Sequence, residues 1–305
     1  MKRSGLAAVL AGALLTGLAV FGVRQLAARP AEASTAVLEI HSLHGASFVP
    51  ALQGKRPLFI LALGSDARPG ESIAKQRSDS IHIIGIDPAH DRATILGFPR
   101  DSWVPIPGYG TAKINTAMTI AGPPLIARTI ESLTGIRIDF WALTSFGGMI
   151  NMVNGIGGLT VFVPQALHDR FSGAFLSRGT QHLKGWQALA FARDRHDFSA
   201  GDLTRSKNQG AILMAALARL HDVFSAHPSD LLAWIALAWH NIHTDLSPQT
   251  LLQLALTATQ VPVKNVNNLV VPASVGMVGG SSVVFISPAA QRIYADMRAD
   301  GIASR

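Results

Sequence analysis

Aspartate and arginine recur in short pairings along the middle of this chain: Asp66 with Arg68, Arg77 with Asp79, Arg100 with Asp101, and Arg193-Asp194-Arg195. On an extended strand Arg77 and Asp79, two residues apart, share a face. Arg193 and Arg195 do the same if extended and stand about 200° apart if helical, and both readings are open at this level. Further on, Gly201-Asp202 caps a helix that carries Arg205 and Gln209 one turn apart on one side. Paired carboxylates suit a hard divalent cation such as Mg²⁺, or Mn²⁺, which takes few protein ligands and fills its shell with phosphate oxygens and water. Several planar guanidinium forks suit a diphosphate, whose oxygens accept bidentate hydrogen bonds. The two together describe metal-assisted phosphoryl transfer driven by charge stabilisation rather than by a protein nucleophile. Any one pair taken singly is an ordinary surface ion pair. Four such clusters at the ends of strands are harder to account for that way, because open α/β sheets place their ligands there.

Other chemistries are excluded or weak. The 305 residues contain no cysteine, which removes thiol nucleophiles, disulfides, Cys-ligated zinc and iron–sulfur clusters. No Gly-x-Ser-x-Gly elbow and no Walker-type phosphate loop occur. Gly155-Ile156-Gly157-Gly158 follows a helix and precedes a strand, the wrong order for a dinucleotide fingerprint, and reads as a turn. His82 alternates with Ile81 and Ile83 and reads as a surface or core-edge residue, while His182 and His196 lack a metal-ligand spacing. The formal charge of +7 suits an anionic partner. No nucleic acid is expected, because the basic residues are scattered, with no run longer than two and no aromatic interleaving.

The elements that must hold these residues follow from hydrophobic pattern. With 48% hydrophobic and 15% charged residues the chain has ample material for a core. Leu58 to Leu63, Ile81 to Ile86 and Ala93 to Phe98 are short apolar runs stopped by turn residues, and read as buried strands. The polar turn Asp87 to Arg92 makes the second and third a hairpin, so the sheet is mixed. Gly122-Pro123-Pro124 opens a helix closed by Gly135. Ile138 to Leu143, Ser145 to Asn154 and Leu159 to Val163 read as strand, helix and strand, which predicts a crossover and helix-covered sheet faces. Helices are predicted over 185–192, 204–224, 230–242 and 248–258, strands over 266–271 and 283–286, and a last helix after Ser287-Pro288 to Arg298. The fold class is α/β: a three-layer α/β/α single domain with a central mixed sheet, preceded by one N-terminal transmembrane helix.

That helix is read at residues 6–23, an 18-residue charge-free stretch from Leu6 to Val23 that follows the basic Lys2-Arg3 and ends at Arg24. A cleaved signal peptide is the competing reading, with Ala31-Glu32-Ala33 as its cleavage site. About ten residues, including Arg24 and Arg29, separate that site from the apolar stretch, which favours an uncleaved signal-anchor. Residues 1–5 are then a cytoplasmic N-terminus, 24–57 a linker or irregular lead-in, and 58–305 an extracytoplasmic domain on a single-pass protein of the cytoplasmic membrane.

The chain resembles the LytR-CpsA-Psr family of cell-wall glycopolymer ligases. The resemblance rests on Leu63-Gly64-Ser65-Asp66-Ala67-Arg68, Arg77-Ser78-Asp79-Ser80, Phe98-Pro99-Arg100-Asp101, Ile106-Pro107-Gly108-Tyr109-Gly110, Lys113-Ile114-Asn115, Gly122-Pro123-Pro124, Gly179 to Leu183 and Gln187 to Arg195, in family order over residues 58–220. It implies a membrane-anchored phosphotransferase that moves a glycopolymer from a polyprenyl-diphosphate carrier to peptidoglycan, forming a phosphodiester. It further implies Asp66 and Asp79 as Mg²⁺ carboxylates, and Arg68, Arg77, Arg100, Arg193, Arg195 and Arg205 on the diphosphate, with Gln209 beside it. The resemblance also implies Asp79, Arg100, Asp101, Arg193 and Arg195 as the catalytic set, with Asp101 either orienting Arg100 or acting as base. Asn208 departs from the family, many of whose members carry a further Arg there. The lipid tail is expected in an apolar slot between sheet and helices, for which 212–220 and 231–239 are candidate walls; ordinary core packing accounts for their apolar faces equally well. The alternatives are hydrolysis of the same lipid diphosphate, or a non-catalytic envelope protein that binds the lipid or has a regulatory role.

Overall fold

Both faces of the apolar strands are buried, so each strand must lie between two layers of other structure. The computed structural model describes residues 38–42, 56–68, 70–227, 229–240, 242–244 and 248–303. Its central sheet contains β1 (Leu38–Ser42), β2 (Leu58–Ser65), β3 (Ser78–Asp87) and β4 (Arg92–Gly97). The β5 (Trp103–Ile106) and β6 (Gly110–Lys113) hairpin leads into α1 (Thr116–Ala121) and α2 (Pro123–Thr134), and β7 (Phe140–Ser145) returns to the sheet. Next come α3 (Phe146–Gly155), β8 (Leu159–Val163), β9 (Leu167–Asp169), β10 (Ala174–Leu176) and β11 (Gly179–Leu183). The chain continues through α4 (Gly185–Arg193), α5 (Asp202–Ala226), α6 (Asp230–His240), β12 (Ile242–Thr244) and α7 (Pro248–Gln260). It closes with β13 (Val266–Val270), the hairpin β14 (Ala273–Val278) and β15 (Ser281–Ile286), and α8 (Ala290–Asp300).

The seven-stranded sheet runs β12-β1-β7-β2-β3-β4-β13. It is mixed, as expected: β2/β7, β4/β13 and β1/β12 pair in parallel, whereas β1/β7, β2/β3 and β3/β4 are antiparallel. Phe59, Leu61, Leu63, Ile81 and Ile83 pack on one face against Leu125, Ile126 and Ile130 of α2 and Tyr294 and Met297 of α8. Residues of the opposite parity, Leu58, Ile86 and Ile95, pack on the other face against Val261 and the half-buried Leu213, Met214, Leu217 and Leu254 of α5 and α7. The two faces differ in closure. Leu125, Ile126, Ile130, Tyr294 and Met297 over the first are wholly buried, with Leu133 and Ile293 of the same helices partly so, whereas Ile60 and Ile84 on the second, and Leu213, Met214, Leu217 and Leu254 above them, all stay partly open.

Three expectations change. Strand, helix, strand at β7-α3-β8 was expected to be a crossover within one sheet, but β8 pairs only with β11 in a separate two-stranded sheet. A second core of Leu159, Val161, Val163, Leu183 and Phe191 explains why, since it buries one face of β8 while Thr160 and Phe162 alternate outward to solvent. The lead-in over 24–57 contains β1, a five-residue strand too short to register as a period. His82 is not at the surface or core edge but fully buried. Its Nε2 bonds to the Ser206 carbonyl at 3.0 Å and its Nδ1 lies 3.1 Å from Ser80 Oγ. Burial lowers its pKa to about 4, with the Ser206 carbonyl acting weakly against that, so the ring is a neutral strut.

That strut helps place the site. Ser206 lies on α5, and the helix approaches β4 so closely at Gly97 that a Cβ there would stand 2.3 Å from Ser206 Oγ. The first turns of α5, with Asp202, Arg205 and Gln209, are thereby fixed over the ends of β3 and β4. The segment at 6–23 lies outside the described residues, and among those described no helix is long and apolar enough to cross a membrane.

Candidate functional site

The turn after β4 is held at several points. Phe98 N–H donates to the Ile81 carbonyl at 2.9 Å, Ser102 Oγ to the Pro99 carbonyl at 2.7 Å, and Asn115 N–H to the Arg100 carbonyl at 3.2 Å. Arg100 therefore projects from a rigid corner, and its guanidinium forms a short ion pair with Asp79 on β3. Gln209 of α5 donates from Nε2 to the Asp79 carbonyl at 3.0 Å, tying helix to strand at this point. Asp101 pairs with Lys113 at 3.4 Å. Arg205 lies 2.9 Å from Asp202, and Arg195 lies 3.8 Å from the same carboxylate.

Several of these groups line a cleft of ≈ 770 Å³, whose wall includes Arg77, Arg100, Asp101, Lys113, Arg195 and Asp202. The hairpin β14–β15 forms one wall through Val275, Ser282 and Val284, docked by the Val284 N–H on the Asp101 carbonyl at 2.9 Å. Gly201, at φ 47°, turns the chain into α5, whose N-terminal amides and dipole favour an anion at this end of the cleft.

Several buried polar atoms here have no hydrogen-bond partner: Asp66 Oδ1, Arg100 Nε, Asp202 Oδ2 and Arg205 Nη2. Arg205 and Asp202 meet at 2.9 Å as an ion pair without hydrogen-bond geometry, which leaves the guanidinium a donor to spare. Native proteins rarely leave such atoms unsatisfied, and a charged ligand would complete them. Burial raises the Asp66 pKa, and Asp79 reinforces the rise, against the opposing pull of Arg100 and Arg77. A carboxylate pair with an orphaned oxygen fits a divalent cation. Among the described residues no group of three or more His, Asp or Glu gathers as a complete cage. Mg²⁺ needs none, since phosphate and water supply the rest of its shell.

The sequence-predicted residues separate into two groups. Asp66, Arg77, Asp79, Arg100, Asp101, Arg195, Arg205 and Gln209 form one network of contacts and mutual electrostatic influence. Of these, Arg77, Arg100, Asp101 and Arg195 line the cleft itself, Asp66, Asp79, Arg205 and Gln209 join it only through their contacts with lining residues or with one another, and Arg68 and Arg193 belong to neither set. Arg68 is exposed on the turn after β2, with its backbone N–H on Glu71 at 2.8 Å. Arg193 ends α4 and lies over the Phe146 ring, 4.7 Å from its centroid. The helix stops between the two arginines, and the extended Asp194 then sends Arg195 into the cleft. Asn208, where a further cation was expected in relatives, is buried and donates to the Phe191 carbonyl at 3.4 Å. Three ionisable cleft residues carried no assigned role from sequence: Lys113, seen only within a motif, Asp202, read only as a helix cap, and His196, read only as lacking a metal-ligand spacing. The Arg205 three residues after Asp202 was the available signal for a buried pair.

Asp194 is wholly buried, and its Oδ1 accepts from His196 N–H at 3.2 Å. Burial pushes its pKa up to about 6, reinforced by Asp197 and Asp169. The folded value lies above the unfolded one of about 3.9, so the stability present below pH 4 is lost as pH rises through 6. Asp194→Asn is expected to remove that slope and to raise stability at pH 7 by about 1–2 kcal/mol. Urea unfolding of both proteins at pH 4, 5, 6 and 7 tests this; equal slopes would refute it.

The LytR_cpsA_psr family model matches residues 26–298 of the chain. The probable cell wall biosynthesis protein LcpB of Corynebacterium glutamicum is 35% identical over 169 residues, covering 52% of this chain and 40% of LcpB. The polyisoprenyl-teichoic acid–peptidoglycan teichoic acid transferase TagV of Bacillus subtilis is 28% identical over 249 residues, covering 78% of this chain and 62% of TagV. The chain thus spans less than two thirds of the length of either relative. The TagV crystal structure superposes with a TM-score of 0.70 at 24% identity, over 82% of this chain and 99% of that one. YwtF (TagT) of Bacillus subtilis, solved with bound octaprenyl pyrophosphate lipid, gives a TM-score of 0.63 at 21% identity, over 90% of this chain and 100% of that one.

Proposed function

We propose, because the chain belongs to the LytR_cpsA_psr family, that it is a phosphotransferase that moves a glycopolymer from a polyprenyl-diphosphate carrier to peptidoglycan. The observation that carries this reading is the cationic cleft, in which Arg77, Arg100, Lys113 and Arg195 face one space. Four cations around one cavity, against Asp101 and Asp202, match a diphosphate better than a neutral sugar. The name of TagV and the lipid bound by YwtF point the same way. The half-closed sheet face under α5 and α7, whose apolar side chains Leu213, Met214, Leu217 and Leu254 are only partly buried, supports an apolar slot for the polyprenyl tail.

In this reading the guanidinium groups of Arg100, Arg195 and Arg205 hold the diphosphate and stabilise the charge that gathers on the leaving lipid phosphate. Asp79 and Gln209 keep Arg100 and the α5 terminus in register, and Lys113 holds Asp101. Asp66 and Asp79 would hold Mg²⁺, or Mn²⁺, which when bound neutralises charge on the diphosphate oxygens. The domain works outside the cytoplasmic membrane, anchored through residues 6–23, where lipid carrier and wall meet.

The test incubates the chain with a synthetic polyprenyl-diphosphate sugar, Mg²⁺ and a peptidoglycan fragment. A sugar–peptidoglycan phosphodiester is the expected product; free sugar phosphate alone would replace transfer by hydrolysis. Asp66→Ala is expected to raise the Mg²⁺ concentration needed for half-maximal rate at least tenfold, as loss of one of few carboxylate ligands implies. An unchanged Mg²⁺ requirement would remove Asp66 from the metal site.

A further inference from the structure

At the rim of the cleft His196 forms a pair that neither the phosphate clamp nor the carboxylate pair accounts for. Its Nδ1 lies 2.9 Å from Asp169 Oδ2, and the Asp169 side chain is only 1% exposed. The Asp169 carboxylate is itself fixed, accepting from the Phe171 N–H at 2.8 Å. The Phe171 ring, tilted 48° with its centroid 4.9 Å away, flanks the imidazole. The His196 side chain is 44% exposed and lines the same cleft as Arg100, Arg195 and Asp202.

A carboxylate on Nδ1 selects the tautomer with the proton there and leaves the Nε2 lone pair free. Nothing among the described residues bonds to Nε2. The carboxylates that line the cleft are ion-paired, Asp101 with Lys113 and Asp202 with Arg205 and Arg195, as is Asp79 beside it with Arg100. Burial works against the charge of Asp169, but the His196 ring, the Phe171 amide and the Ser172 hydroxyl outweigh it and hold its pKa down to about 2. Asp169 therefore stays an anion that supports a positive ring. The other charged groups around the imidazole are Asp194 and Asp197 on its own segment, Arg195 beside it and Arg170 on the β9–β10 tip.

We propose that His196, oriented by Asp169, is the general base that accepts the proton of the acceptor hydroxyl. This deepens the transfer reaction proposed for the cleft and rests on it. The hydroxyl oxygen forms a bond to the glycan-bearing phosphorus as its proton passes to Nε2. The bond from that phosphorus to the bridging oxygen breaks, and the electron pair leaves with the polyprenyl phosphate. The imidazolium is stabilised by Asp169 and returns its proton to solvent or to the departing phosphate.

His196→Asn tests the base apart from the clasp, because the Asn Nδ2 can take the place of Nδ1 toward Asp169 while no group remains at Nε2. The full chain, its His196→Asn and its Asp169→Asn variants are compared for binding of octaprenyl diphosphate in detergent and for transfer to a peptidoglycan fragment between pH 5 and 8. His196→Asn is expected to bind the lipid within about twofold of wild type, to transfer about 10²–10⁴ times more slowly, and to lose the acid limb of the rate profile. Asp169→Asn is expected to lower transfer similarly by reversing the tautomer. Retention by His196→Asn of the wild-type rate or of its acid limb overturns the proposal and leaves the pair a structural clasp. Absence of transfer by the wild-type chain overturns the transfer reading instead, and the dyad's role with it.

Discussion

Arg100→Ala is expected to slow transfer by about 10³-fold or more, the largest effect of any single side chain in the cleft. The residue joins three parts of the site. It is the ion-pair partner of Asp79, it lines the cleft directly, and its charge interacts with both Asp101 and Asp202. Burial works against its charge, but Asp79, followed by Asp101 and Asp202, more than compensates, so its pKa is raised. Removing it takes away a donor to the diphosphate and also leaves Asp66 and Asp79 as neighbouring carboxylates without their nearest counter-charge. Arg100→Lys restores the charge but not the fork, and is expected to recover part of the rate, about tenfold above alanine. Single-turnover transfer measured at saturating lipid separates loss of rate from loss of binding. Alanine and wild-type proteins with equal single-turnover rates would take Arg100 out of the reaction.

What could be read from sequence follows the range of the physics involved. The central strands β2, β3 and β4 were legible because their short apolar runs are bounded by Gly64, Asp87-Pro88 and Pro99, a length and punctuation that suit strands rather than helices. The α3 cap was legible too: Ser145 Oγ accepts from Gly148 N–H at 3.3 Å, as its position before the helix implied. The three- to six-residue strands β1, β9, β10, β12 and β14 were not, because their pairing is decided by partners more distant in sequence than any local pattern reports. Arg193 and Arg195 show the limit within the site. Their spacing allowed a shared face or opposite ones, and the answer depends on where α4 ends. Helix α4 ends at Asp194, whose backbone N–H still donates to the Ala190 carbonyl at 3.0 Å while its buried side chain lies near Asp169 and Asp197. Similarly, the His196–Asp169 pair joins positions 27 residues apart. Nothing in the spacing signals it, since the β9–β10 hairpin must first fold back to bring Asp169 to the cleft rim.

Arg205→Met is expected to destabilise the fold by about 3 kcal/mol, because it strands the Asp202 carboxylate in a site that is 10% exposed. The arginine is itself 6% exposed, and burial, then Arg100 and Arg195, lower its pKa against the support of Asp202. Each member thus tolerates its position only through the other, and Arg195 at 3.8 Å is a secondary partner that softens the loss. Buried pairs of this kind are expensive to break but not to replace. The double variant Arg205→Met, Asp202→Leu is therefore expected to return to within about 1 kcal/mol of wild type, while octaprenyl diphosphate binding stays at least tenfold weaker. Urea unfolding and lipid binding measured on the same three proteins check both halves. A pair kept for stability would leave the double variant as unstable as the single one. A pair kept for its ligand leaves a stable protein that has lost its hold on the diphosphate, and the lack of hydrogen-bond geometry between Arg205 Nη2 and Asp202, 2.9 Å apart, is the structural reason to expect that outcome.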